Sequence, residues 1–192
     1  MTGKHLNDLL IEQSPHHEDF EAYQYEGSTP IQSISRIGWI RLDKSYKHGL
    51  SPKEFVDKLS FIKSSKLPSD FHFHRTTGGI PCTLCSPGDR SSFDSELLIP
   101  RVKLPGNFFG SPSMIDHFIV DHGYRPPDEF IESVMLLDLS KPFDAVIVFD
   151  ELSLTVESII DLYRKRVSLL SSAKQTPEIQ RYQDWLDKKN YR

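Results

Sequence analysis

The chain contains two cysteines, and they form one Cys-x2-Cys pair within Ile80-Pro81-Cys82-Thr83-Leu84-Cys85-Ser86-Pro87-Gly88. His117 and His122 follow some thirty residues later in His-x4-His spacing. Two thiolates in a tight turn can reach one ion at tetrahedral separation, and two imidazoles complete the set. Cys82, Cys85, His117 and His122 are therefore the expected ligands of a structural zinc ion. Four protein ligands leave no position for water, which separates such a site from a catalytic one. The set also limits the fold, because it ties two distant stretches of chain to one point.

Geometry sets a condition on the histidine pair. Five positions along an ideal helix turn through about 140°. Both rings reach one ion only if the last helical turn loosens before Gly123. Other uses of these residues are a dithiol switch at Cys82 and Cys85, a core histidine at 117, and a helix-terminal charge at 122. A thioredoxin-like dithiol opens a helix, whereas Ser86-Pro87-Gly88 continues as a loop. His72 or His74 could replace a helical histidine, but alternate strand positions face opposite sides, so at most one could reach the ion.

The surroundings bear on function. The 192 residues carry a net charge of −4, unevenly spread. Residues 35–75 hold nine basic and four acidic side chains, whereas residues 76–150 hold five basic and eleven acidic ones. Zinc modules that grip phosphate usually present Lys and Arg around the metal, so an acidic setting argues against nucleic acid. The run Arg164-Lys165-Arg166 reads as a helix face. No P-loop, G-x-S-x-G or H-E-x-x-H motif occurs. Asp116, Asp121, Asp128, Glu129 and Glu132 form an acidic group near the histidines. Within it Glu132 or Asp121 could act as a general base if one histidine left the metal. There is no apolar run long enough for a membrane span and no signal-peptide pattern, and CxxC cysteines suit a reducing compartment. The expectation is a cytoplasmic protein.

Patterning predicts an α+β fold: a small antiparallel sheet with a zinc knuckle, several flanking helices and two further C-terminal helices. Residues 1–33 read as a polar, partly irregular segment with a short helix at His5–Ile11, residues 34–139 as the zinc-binding core, and residues 140–192 as an extension. Strands are expected at Ser33–Leu42, Phe71–His74, Ser95–Pro100 and Asn107–Gly110, with a turn at Pro105-Gly106. Ser51-Pro52-Lys53-Glu54 predicts a capped helix to about Ser65, and Ser111-Pro112 a second one to about His122. A third starts at Pro126-Pro127-Asp128-Glu129. The apolar run Ala145–Phe149 reads as a buried strand, followed by helices over about Ser153–Ser172 and from Thr176.

The segments Gly38-Trp39-Ile40, Pro81-Cys82-Thr83-Leu84-Cys85, Ser111 to Ile119 and Asp121-His122-Gly123-Tyr124-Arg125-Pro126-Pro127-Asp128-Glu129-Phe130-Ile131 resemble, in that order, a family of small uncharacterised bacterial proteins. The resemblance covers about Gly38–Val134. It implies a shared fold and a shared metal site at Cys82, Cys85, His117 and His122, and no activity. Residues 1–33 and 140–192 lie outside it. The resulting expectation is a non-enzymatic zinc protein that binds another protein, one form of which is an immunity protein neutralising a basic toxin site. A metal-dependent hydrolase or nuclease, and a nucleic-acid-binding zinc protein, are the alternatives.

Overall fold

The structure, a computed structural model, describes residues 15–25, 28–64, 69–76, 78–86 and 91–153. The chain divides into two units, Met1–Leu152 and Ser153–Arg192. Beyond Ser153 the second lies outside the described residues, as do the helices expected at His5–Ile11, over 153–172 and from Thr176.

The first unit is α+β. Its strands are β1 (Ala22–Tyr23), β2 (Ile31–Arg36), β3 (His72–Phe73), β4 (Ile80–Pro81), β5 (Ser92–Phe93), β6 (Glu96–Pro100) and β7 (Phe108–Pro112). Its helices are α1 (Lys53–Ser64), α2 (Ile115–Asp121), α3 (Asp128–Leu136) and α4 (Ala145–Ser153). Five strands form one sheet in the order β1-β2-β7-β6-β3, and β4 pairs with β5 as a separate hairpin. The expected antiparallel sheet is mixed instead, because β2 and β7 run parallel, with Arg36 opposite Gly110. A parallel pair needs a long crossover, and here α1, β3, the hairpin and β6 all lie within it.

Each face of the sheet packs against a different layer. On one side Leu97, Ile99 and Phe109 join Phe55, Leu59 and Ile62 of α1, Ile115 and Phe118 of α2, and Phe130 and Val134 of α3 in the larger core. These residues are almost wholly buried, which contributes about 1.5–3 kcal/mol for each large apolar side chain. On the other side Ile34, Phe73 and Leu98 pack with Tyr23 from β1 and with Ala145 and Phe149 from α4.

Other expectations are corrected as well. The first strand ends at Arg36 rather than Leu42, because the chain turns at Gly38, whose φ is +76°. A Cβ there would sit 2.8 Å from Ile115 Cδ1, so glycine is required on both counts. Ser111-Pro112 does not open a helix. It ends β7, pairing with Leu97 and Glu96, and α2 starts at Ile115 without a side-chain cap. Ala145–Phe149 is helical rather than a strand. The Asp144 carboxylate accepts the amides of Val146 and Ile147, both at 3.1 Å, and so caps α4. Ala145 and Phe149, one turn apart, then face the sheet together. Finally, the segment expected to be irregular contributes β1, and its Tyr23 is buried.

The neighbouring Asp19 stitches this segment to the fold by accepting the Gly38 amide at 3.0 Å and the Tyr124 hydroxyl at 2.8 Å. Burial raises the Asp19 pKa above its ordinary value, and these two hydrogen bonds oppose the rise. Ser51 does not cap α1, since its buried hydroxyl has no partner among the described residues.

Candidate metal centre

The site forms where the β4–β5 hairpin meets the C-terminal end of α2. The Cys82 amide donates to the Ser91 carbonyl at 2.9 Å, which prolongs the β4–β5 pairing into the knuckle and fixes where Cys82 points. His117 lies in the first turns of α2. His122 is its C-cap, with φ −115° and ψ 3°, and Gly123 follows at φ +64°. The Tyr124 amide returns to the Phe118 carbonyl at 3.0 Å. The helix therefore ends one residue before His122, and this release removes the angular mismatch of a five-residue spacing.

The structure brings together all four residues expected from the sequence. One ligand atom from each of Cys82, Cys85, His117 and His122 lies within 4.8 Å of the others. His122 Nε2 is 3.4 Å from Cys82 Sγ, 3.3 Å from Cys85 Sγ and 3.1 Å from His117 Nε2. Cys85 Sγ is 3.2 Å from His117 Nε2. Bond lengths of about 2.3 Å to sulfur and 2.0–2.1 Å to nitrogen give tetrahedral edges of roughly 3.5 Å for S–N and 3.3 Å for N–N. The observed spacings match these edges to a few tenths of an ångström, so the four atoms are placed to hold one metal ion.

The protonation pattern also fits. His117 Nδ1 is 2.6 Å from Asp121 Oδ2. A carboxylate can only accept, so Nδ1 carries the proton and Nε2 presents its lone pair to the centre. Tyr46 donates its hydroxyl to the His122 carbonyl at 3.3 Å. Burial raises the Tyr46 pKa, and the adjacent Cys82 adds to the rise. Cys82 is buried, while Cys85, His117 and His122 are half-buried.

The other candidate residues go elsewhere. His72 is a staple: Nδ1 meets Ser95 Oγ at 2.8 Å, and Nε2 meets the Lys63 carbonyl at the end of α1 at 2.7 Å. His74 lies on the opposite face of the sheet, beside Tyr23. Glu132 is paired with Lys103 at 2.6 Å, Asp116 with Lys63 at 3.0 Å, Glu129 with Arg101, and Asp128 with Arg125. Of the acidic group, Asp121 meets a ligand's imidazole, and Asp116 Oδ1 accepts the His117 backbone amide at 3.0 Å. The sequence reading weighed Asp121 as a base and missed it as an orienting group. The signal was its i,i+4 spacing from His117 on a helix.

Residues 15–135 match a family described as a domain of unknown function (DUF7919), and the chain belongs to that family. No curated protein and no solved structure matches the chain. No helix among the described residues is long and apolar enough to cross a membrane.

Proposed function

We propose that Cys82, Cys85, His117 and His122 hold one zinc ion as a structural pin, and that the protein acts by binding another protein rather than by catalysis. The observation that supports this most is the convergence of two sulfurs and two Nε2 atoms within 4.8 Å, with four of the pair distances close to tetrahedral edge lengths. Two thiolates with two imidazoles suit zinc, and a full set of protein ligands leaves no place for an activated water. Glu132, the base considered for a hydrolase, is occupied by Lys103. The nucleic-acid reading also loses support. Of the basic residues in 35–75, Arg41, Lys53, Lys63 and Arg75 sit in ion pairs, and Lys58 donates to the carbonyls of Met135 and Leu137.

Metal analysis of the purified chain tests the zinc reading, with one zinc per chain expected. Cys82→Ser should lose the ion and much of its thermal stability, because metal-binding free energy is then folding free energy. A Cys82→Ser protein that keeps both its zinc and its melting temperature would refute the assignment. In its most specific form the proposal is an immunity protein whose acidic residues 76–150 speed association with a basic toxin site. Co-expression with the product of a neighbouring toxin gene should then yield a stable complex. Failure to protect cells from that product would end the immunity reading and leave the zinc reading untouched.

A further inference from the structure

A second polar constellation lies on the sheet face opposite the main core. It is built from Tyr23, Arg36, His74 and Glu96, which come from four different strands or strand ends. Tyr23 reaches across the sheet because β7 carries Gly110 at the crossing point, where a Cβ would lie 3.1 Å from the Tyr23 ring. Its hydroxyl is 2.8 Å from His74 Nδ1 and also hydrogen-bonds Glu96. Arg36 stands over the ring, with its guanidinium carbon 5.0 Å from the centroid.

Three observations single out this group. Glu96 and Arg36 are buried, yet among the described residues Glu96 Oε2 and Arg36 Nε have no hydrogen-bond partner. Buried polar atoms are normally satisfied, so two on one small cluster is unusual. His74 adopts φ +44°, a left-handed conformation that non-glycine residues seldom hold and that concentrates at functional positions. Its ring lies against Tyr25, Phe149 and Phe73 at centroid distances of 4.4, 4.3 and 4.8 Å.

The proton positions follow from the donor inventory. The Glu96 carboxylate can only accept, so the Tyr23 hydroxyl donates to it. His74 Nδ1–H then donates to the Tyr23 oxygen, and in the neutral imidazole Nε2 holds the lone pair. Burial, with Glu96 next in weight, raises the Tyr23 pKa well above its ordinary value, so the phenol stays neutral and passes a proton on rather than losing it. No described side chain bonds His74 Nε2, and the His74 side chain is 22% exposed. An imidazole oriented by a hydroxyl and a carboxylate behind it follows the logic of activated nucleophiles and bases.

We infer that His74, apart from the structural metal site, is a reactive centre, a nucleophilic imidazole that accepts acyl or phosphoryl groups at Nε2, with Tyr23 and Glu96 as its positioning residues. In the acyl case the Nε2 lone pair forms the new N–C bond and the bond from the acyl carbon to the leaving oxygen breaks. The Nδ1 proton moves to Tyr23 as the Tyr23 proton moves to Glu96, and solvent carries it to the leaving group. This inference is independent of the zinc reading.

Diethyl pyrocarbonate, with peptide mapping of the full-length protein, tests it. Attack by Nε2 gives carbethoxyhistidine and ethyl hydrogen carbonate, which breaks down to carbon dioxide and ethanol. The exposed His48 serves as the internal reference. His74 should react at least as fast as His48 despite its smaller exposure. Glu96→Gln and Tyr23→Phe should each slow His74 several-fold while leaving His48 unchanged. Unchanged melting temperature and circular dichroism would show that these variants fold, and Glu96→Gln carries the test if Tyr23→Phe does not. A His74 that stays unmodified in the folded protein, or a His74-to-His48 ratio unmoved in Glu96→Gln, would overturn the inference. Acetyl phosphate then separates the two donor classes, since transfer leaves either a phosphoryl or an acetyl mass on the His74 peptide. A His74 peptide that gains neither mass would overturn the assignment to these donors.

Discussion

The two polar constellations of this domain are built differently. At the metal centre four ligand atoms converge, a carboxylate fixes one imidazole, and the stretches that supply the ligands are each shorter than seven residues. At the Tyr23–His74 cluster each member comes from its own part of the chain, and two buried atoms have no partner among the described residues. The first has the completeness of a structural device, because every ligand atom faces the point an ion would occupy. The second leaves groups unsatisfied, as sites that act on other molecules do. Burial alone does not distinguish them; the count of unused donors and acceptors does.

Perturbing one region while reading out the other sharpens the contrast. The largest effect is expected from removing the metal with a chelator. Structural zinc sites bind with free energies on the order of 10 kcal/mol, so the melting temperature should fall steeply, and hydrogen exchange should rise first in the knuckle and at His122. Equal exchange in knuckle and sheet, with no change in melting temperature, would erase the distinction. Next is Gly110→Ala, whose methyl would press on the Tyr23 ring at 3.1 Å and on Ile34 Cγ2 at 3.3 Å. A cost of about 1–3 kcal/mol is expected, read as a melting temperature lowered by roughly 3–10 °C with zinc content unchanged.

Asp121→Ala should leave the fold in place and weaken zinc binding by about 10–100-fold, measured by competition with a chromophoric chelator. An unchanged affinity would remove Asp121 from the centre. The smallest effect concerns Asp19. Its folded pKa is raised, so its contribution to stability is complete below the unfolded pKa and is lost as pH rises through the folded one. Asp19→Asn should flatten that part of the stability curve in the carboxylate range, as followed by melting temperature against pH.

The same contrast explains what could be read from the sequence. The metal ligands were legible because Cys82 and Cys85, and His117 and His122, are local pairs whose spacing carries the chemistry. The helices at Lys53–Ser64 and Asp128–Leu136 were legible from periodicity and an acidic or proline-bearing start. Tyr23, Arg36, His74 and Glu96 have no spacing in common, and only the strand order brings them together. The strand pattern of Ala145–Phe149 misled because the Asp144 cap and the sheet face opposite override β propensity. The parallel partner of β2 was hidden because nothing within Ile31–Arg36 encodes the direction of a strand more than seventy residues away.

That parallel pairing has a consequence for folding. Joining Ile34–Arg36 to Phe108–Gly110 closes a long loop, an entropic cost met before its contacts form. Cys82 and Cys85 lie inside this loop, whereas His117 and His122 lie just beyond its closing strand. An ion that captures both pairs draws the hairpin and α2 together across the closure. With zinc bound as proposed, metal capture and strand pairing would shorten each other's search, and their order is open to measurement by refolding with zinc added early or late.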